Sequence, residues 1–136
     1  MNNIMIWVAD WEMQCCGTPF KNNDCIKWTI SERKNDFSKI DEKHNIDYYY
    51  DAHGISNKLY EISGVVSKIQ IVYALYELVK GKQKYYTPIS YKLADFYGEA
   101  DGWEKDLDEY KFCAYLVQLD CENTFEGINL KRINYE

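Results

Sequence analysis

Cysteine and histidine offer this chain its sharpest chemistry. Vicinal Cys15 and Cys16 stand inside Trp11-Glu12-Met13-Gln14-Cys15-Cys16-Gly17, Cys25 follows, and His53 precedes Gly54. A catalytic thiol must reach its thiolate form, which a neighbouring imidazole promotes. Cys16 and His53 are therefore the candidate catalytic pair, while His44 lies in a charged stretch. A composite metal site would draw on Cys15, Cys16, Cys25 and His53, with Asp51 as an oxygen ligand. Zinc sites favour closely spaced C-x₂₋₄-C pairs, a spacing missing here, so no metal or other cofactor is expected. If the segment is an extended strand, Cys15 points inward and Cys16 outward, and the two cannot share one ion. The plainer alternative makes Cys15 a small core hydrophobe and His53 a local helix cap. Carboxylate pairs such as Asp47 with Asp51 are too common to assign, and no Gly-x-Ser-x-Gly, P-loop or His-Glu-x-x-His is present.

Tyrosine and acid supply the second signal. Thirteen tyrosines, including Tyr48-Tyr49-Tyr50 and Tyr85-Tyr86, exceed what one small core buries completely. Tyrosine joins a flat apolar body to a polar end and is common at interfaces. Seven acids between Asp95 and Glu109 face Lys105 alone and account for the formal net charge of −6. The candidate binding residues are Tyr49, Tyr50, Asp101, Trp103 and Asp106. Nucleic acid is not expected as a partner, because no basic groove accompanies the aromatics.

The elements that would hold these residues are mostly strands. Period-two alternation from Met5 to Cys16 predicts one long half-buried strand with Met5, Trp7, Ala9, Trp11, Met13 and Cys15 inward. Gly17-Thr18-Pro19 ends it, Asn22-Asn23-Asp24 marks a turn, and Ile26, Trp28 and Ile30 form a second strand. Residues 31–45 read as a polar loop, and Ile46–His53 as a short helix stopped by Gly54. The run 65–79 competes between helix and strand. Its β-branched residues favour strand, with Ile69, Ile71, Tyr73 and Leu75 on one face. Lys80-Gly81-Lys82-Gln83 then makes a hairpin turn, followed by an extended or helical piece near Tyr91–Phe96. Phe112–Cys121 is a strand with Cys113, Tyr115, Val117, Leu119 and Cys121 together, and a short strand falls near Ile128–Ile133.

These elements describe one mainly β domain spanning 1–136, a small antiparallel barrel of the SH3-like or OB-like kind with five or six strands and one or two short helices. A chain of 136 residues, 46% of them hydrophobic, can build an ordinary core without disulfides. Its five dispersed cysteines suit a reducing cytoplasm, and it has no apolar run long enough for a membrane helix and no signal-peptide pattern. Trp11-Glu12-Met13-Gln14-Cys15-Cys16-Gly17-Thr18-Pro19-Phe20, Tyr49-Tyr50-Asp51-Ala52-His53-Gly54 and Tyr115-Leu116-Val117-Gln118-Leu119-Asp120 carry a resemblance. They resemble a family of small bacterial proteins classed only as a domain of unknown function, with further likeness at Trp28 and Gly64–Ile69. That resemblance implies one domain and no known activity.

The functional expectation is a cytoplasmic binding module with a protein partner, self-association included, rather than an enzyme. Its sharper form is an acidic protein that neutralises a basic one, as immunity proteins do. The rival is a small metal-binding or thiol-dependent enzyme centred on Cys15, Cys16 and His53.

Overall fold

The structure, a computed structural model, describes residues 2–32, 46–52, 59–81, 84–121 and 131–133. Its strands are β1 (Asn2–Ala9), β2 (Cys25–Glu32), β3 (Tyr48–Tyr50), β4 (Leu59–Val79), β5 (Tyr85–Asp95), β6 (Lys111–Cys121) and β7 (Lys131–Ile133). A short helix, α1 (Asp10–Cys15), follows β1. The fold is mainly β, as its alternating patterns predict. The sheet runs β2-β3-β1-β6-β4-β5, and a further β2–β4 pairing closes it into a barrel-like ring.

The 21-residue β4 makes that closure. Its first part, Leu59 to Val65, pairs with β2, and from Val65 onward it pairs with β6. Gly64 sits at the changeover, where a Cβ would lie 2.9 Å from the Asp120 carbonyl oxygen. A glycine therefore admits the close backbone approach that a tight corner needs. Beyond it a register shift between Val66 and Lys68 leaves Ser67 as the extra residue of a bulge. The shift changes which parity faces inward: Ile62 and Val66 precede it, Ile69 and Ile71 follow, and all four are buried in one core. The run at 65–79 is thus strand throughout, and it pairs antiparallel with β5 up to Val79 opposite Tyr85, while Lys82 and Gln83 of the expected turn lie outside the described residues.

Three expectations need correction. The Met5–Cys16 segment is not one strand: β1 stops at Ala9, and Asp10–Cys15 coils into α1. Acids at Asp10 and Glu12 suit the positive end of a helix, and Met13 turns into the core. In β1 the inward residues are Ile4, Ile6 and Val8, while Met5, Trp7 and Ala9 join an apolar cluster on the opposite face. Alternation failed there because both faces of β1 are covered, as happens for a central strand. Second, Tyr48–Tyr50 is a strand rather than part of a helix, and it runs parallel to β1, so the sheet is mixed and not wholly antiparallel. The Asp47 N–H donates to the Met5 carbonyl, and the Asp47 carboxylate accepts from the Met5 N–H, both at 2.9 Å. Third, Cys113 leaves the face of Tyr115, Val117, Leu119 and Cys121. A register shift between Val72 and Tyr73 puts Phe112 inward instead and packs Cys113 in the second cluster.

The main core fills the ring. Phe20, Trp28, Tyr50, Phe112 and Tyr115 pack there among Ile, Val and Leu side chains. The Phe20 and Trp28 rings meet edge-on at 4.9 Å, and Phe112 meets Tyr115 at 5.1 Å. α1 and a Phe20–Ala100 bridge contribute Met13, Phe20 and Ala100 to this core. No helix among the described residues is long and apolar enough to cross a membrane.

Candidate functional site

The acidic segment is fastened before it is exposed. The Tyr115 hydroxyl accepts from the Gly102 N–H at 3.0 Å and donates to Glu104 Oε2 at 2.6 Å. Burial first, and the bond to Glu104 second, push this phenol far above its ordinary range. Gln14 Nε2 donates to the Gly102 carbonyl at 2.8 Å, so α1 holds the same loop from the other side. Asp106 Oδ1 accepts from the Phe112 N–H at 2.9 Å, and its Oδ2 lies 3.3 Å from Lys111 Nζ. Asp106 is therefore engaged in positioning the start of β6. Asp101 accepts from the Trp103 N–H at 2.9 Å, and Trp103 is 69% exposed.

Tyr49 and Tyr50 are parts of the sheet. Tyr49 packs against the second cluster, and Tyr50 is 9% exposed with its ring 5.0 Å from Trp28. Burial raises the Tyr50 phenol above its usual value. Tyr50 also borders a cavity of about 370 Å³ between Thr18–Phe20 and the start of β2, which includes Cys25. Asp51 is buried, and its N–H donates to the Thr29 carbonyl at 2.9 Å. His53 lies outside the described residues. Among the described residues, no group of three or more Cys, His, Asp or Glu side chains could hold a metal ion.

The vicinal cysteines do meet, contrary to the strand reading. Cys15 closes α1, Cys16 caps it, and their Sγ atoms are 3.0 Å apart on exposed side chains. The hydrogen bond shared with Cys15 comes first among the influences that raise the Cys16 thiol above its ordinary value. That is the direction opposite to nucleophile activation. Cys113 is held back further: burial, with Asp10 nearby, pushes its thiol up to about 12.

A surface that sequence reasoning missed lies on the β4–β5 hairpin. β6 starts opposite Ala74, so beyond that point β4 pairs with β5 alone among the described residues. Tyr76 pairs with Pro88, and Leu78 with Tyr86, which places the four on one face of the projecting arm. Tyr76 and Leu78 are 38% and 37% exposed, and Tyr86 68%. Tyr76, Tyr86, Glu109 and Lys111 line a groove of about 470 Å³ at the base of this arm. The signal available in the sequence was the tyrosine excess; where β6 begins was not legible from it.

Residues 2–121 match the family of unknown function DUF6578. The chain belongs to that family. The match covers the residues of the ring, α1, the arm and the acidic segment together. No curated protein and no solved structure matches the chain.

Proposed function

We infer that this DUF6578 protein is a protein-binding module whose contact surface is the aromatic face of the β4–β5 arm. The observation that carries the reading is the placement of Tyr76, Leu78 and Tyr86 on one exposed face beside a groove. Large aromatics supply contact area at small entropic cost, and apolar clusters rimmed by charge are typical of docking sites. Glu109 and Lys111 both line the groove, and Glu109 belongs to the 95–110 segment, which carries the chain's whole net charge of −6. Such a surface complements a partner with an apolar centre and basic surroundings, and it disfavours a second copy of itself through like-charge repulsion. The immunity-like form of the reading, neutralisation of a basic protein, fits this charge and adds only the partner's fate.

The thiol-enzyme alternative draws less support. Its candidate nucleophile, Cys16, has its thiolate disfavoured by Cys15.

A photo-crosslinking amino acid placed at position 86, with position 27 on β2 as the control, tests the docking surface in cells of the source organism. The expected result is one dominant adduct with a basic protein at position 86 and none at 27. Purified complex should then weaken at least tenfold in Tyr76→Ser/Tyr86→Ser and weaken as salt rises. Adducts equal at both positions, or adducts only between copies of this chain, would overturn the reading.

A further inference from the structure

We propose that Cys15 and Cys16 form a two-sulfur clamp for a thiophilic electrophile that bonds both sulfurs through one atom, of the trivalent-arsenic class. The inference is independent of the arm and rests on how α1 ends. Both Sγ atoms are exposed and stand 3.0 Å apart. The backbone beneath them is fixed: the Cys16 and Gly17 N–H groups both donate to the Glu12 carbonyl, at 3.0 and 2.9 Å. Gly17 is pressed so closely on Met13 that a Cβ would lie 2.5 Å from its Sδ, and Met13 is anchored in the main core. Gln14, one residue before the pair, is tied to Gly102. The thiols therefore sit side by side on a scaffold held from two directions.

Geometry selects among the reactions open to such a pair. Adjacent Cα atoms across a trans peptide are about 3.8 Å apart, whereas disulfides span about 4.4–6.8 Å, so direct S–S closure strains the chain and yields an easily reduced bond. Zinc requires four ligands in tetrahedral array, of which this pair would supply two. A linear two-coordinate ion would need the sulfurs on opposite sides of it. A pyramidal, thiophilic atom accepts two sulfurs side by side, which is the arrangement present. With an arsenoxide, two S–As bonds form and the arsenic–oxygen bond breaks. The oxygen leaves as water carrying both thiol protons. Arsenic remains trivalent and neither sulfur is oxidised, so no further reactant is needed.

The test uses phenylarsine oxide and the full folded chain, with intact-mass detection in the presence of a competing monothiol. Wild type should take up one equivalent, gaining the reagent's mass less one water and losing two titratable thiols. Cys15→Ser and Cys16→Ser should each lower retention on the order of 100-fold, the loss expected when a second bond is no longer intramolecular. Cys25→Ser removes another exposed thiol and should bind as wild type does. Equal retention by wild type and Cys16→Ser, or loss of binding in Cys25→Ser, would overturn the proposal. Since both altered side chains are exposed, unchanged thermal unfolding in the variants separates lost chelation from lost fold.

Discussion

Tyr115 joins core and surface through a single oxygen. Its ring is fully buried, and its hydroxyl satisfies both the Gly102 N–H and Glu104. Tyr115→Phe keeps the ring but strands a buried donor, so it should cost about 1–3 kcal/mol, read as a lower urea midpoint. The cysteines divide by environment. Cys15, Cys16 and Cys25 are exposed, Cys121 is buried, and Cys113 is half-buried with its thiol near 12. Alkylation of folded protein should therefore modify the first three and reach the other two only on unfolding; early loss of Cys113 would contradict this. Asp10 gives a pH prediction. Burial raises its pKa from 3.8 despite the hydrogen bond from the Trp11 N–H. The native state then holds the proton more tightly than the unfolded one, so stability falls as pH rises through that window. Asp10→Asn should be more stable than wild type at neutral pH, and the difference should vanish below 3.8.

At the level of elements, two devices make the ring possible: glycines where chains touch, and bulges that change facing. Gly102 has φ +91°, and a Cβ there would stand 2.7 Å from Met13 Cβ. Gly102→Ala should destabilise by about 1–3 kcal/mol, combining backbone strain with a clash against α1, measurable as a lower thermal midpoint. The same devices explain what could be read from sequence. Ile26, Trp28 and Ile30 in β2, and Val117 to Cys121 in β6, alternate cleanly because one face of each meets the main core. β-Branching distinguishes the 65–79 run of β4 as strand rather than helix. β1 departs from period-two alternation because its two faces are both apolar from Ile4 to Ala9, and polar residues take the even positions from Asp10 onward, where the chain is helical. Cys113 was misplaced by a bulge, which leaves no periodic trace in one strand alone. The parallel pairing of β3 depends on a long connection and could not be seen in three tyrosines. The candidate site fared similarly: the cysteine pair and the acidic run stood out by type, whereas their geometry needed α1 and Tyr115.

On the whole-molecule scale, ring closure leaves the hairpin as the part of the sheet that reaches past its neighbours. β4 and β5 continue as a two-stranded ribbon after β6 has ended, and two-stranded ribbons are marginal in isolation. Aromatic side chains kept exposed on that ribbon contribute little to folding, so Tyr86→Ser should shift stability by no more than about 0.5 kcal/mol. The same change should cost binding heavily, and that separation of effects distinguishes a contact surface from a packed one. Charge works in the same direction, because the net negative 95–110 segment raises encounter rates with a basic partner and repels another copy. Hydrogen exchange on the purified complex with the crosslinked partner addresses the arm most directly. The account predicts slowed exchange in residues 76–79 and 85–88, with β2 unchanged. Slowed exchange confined to β2 or to α1, with the ribbon exchanging as in the free protein, would contradict it.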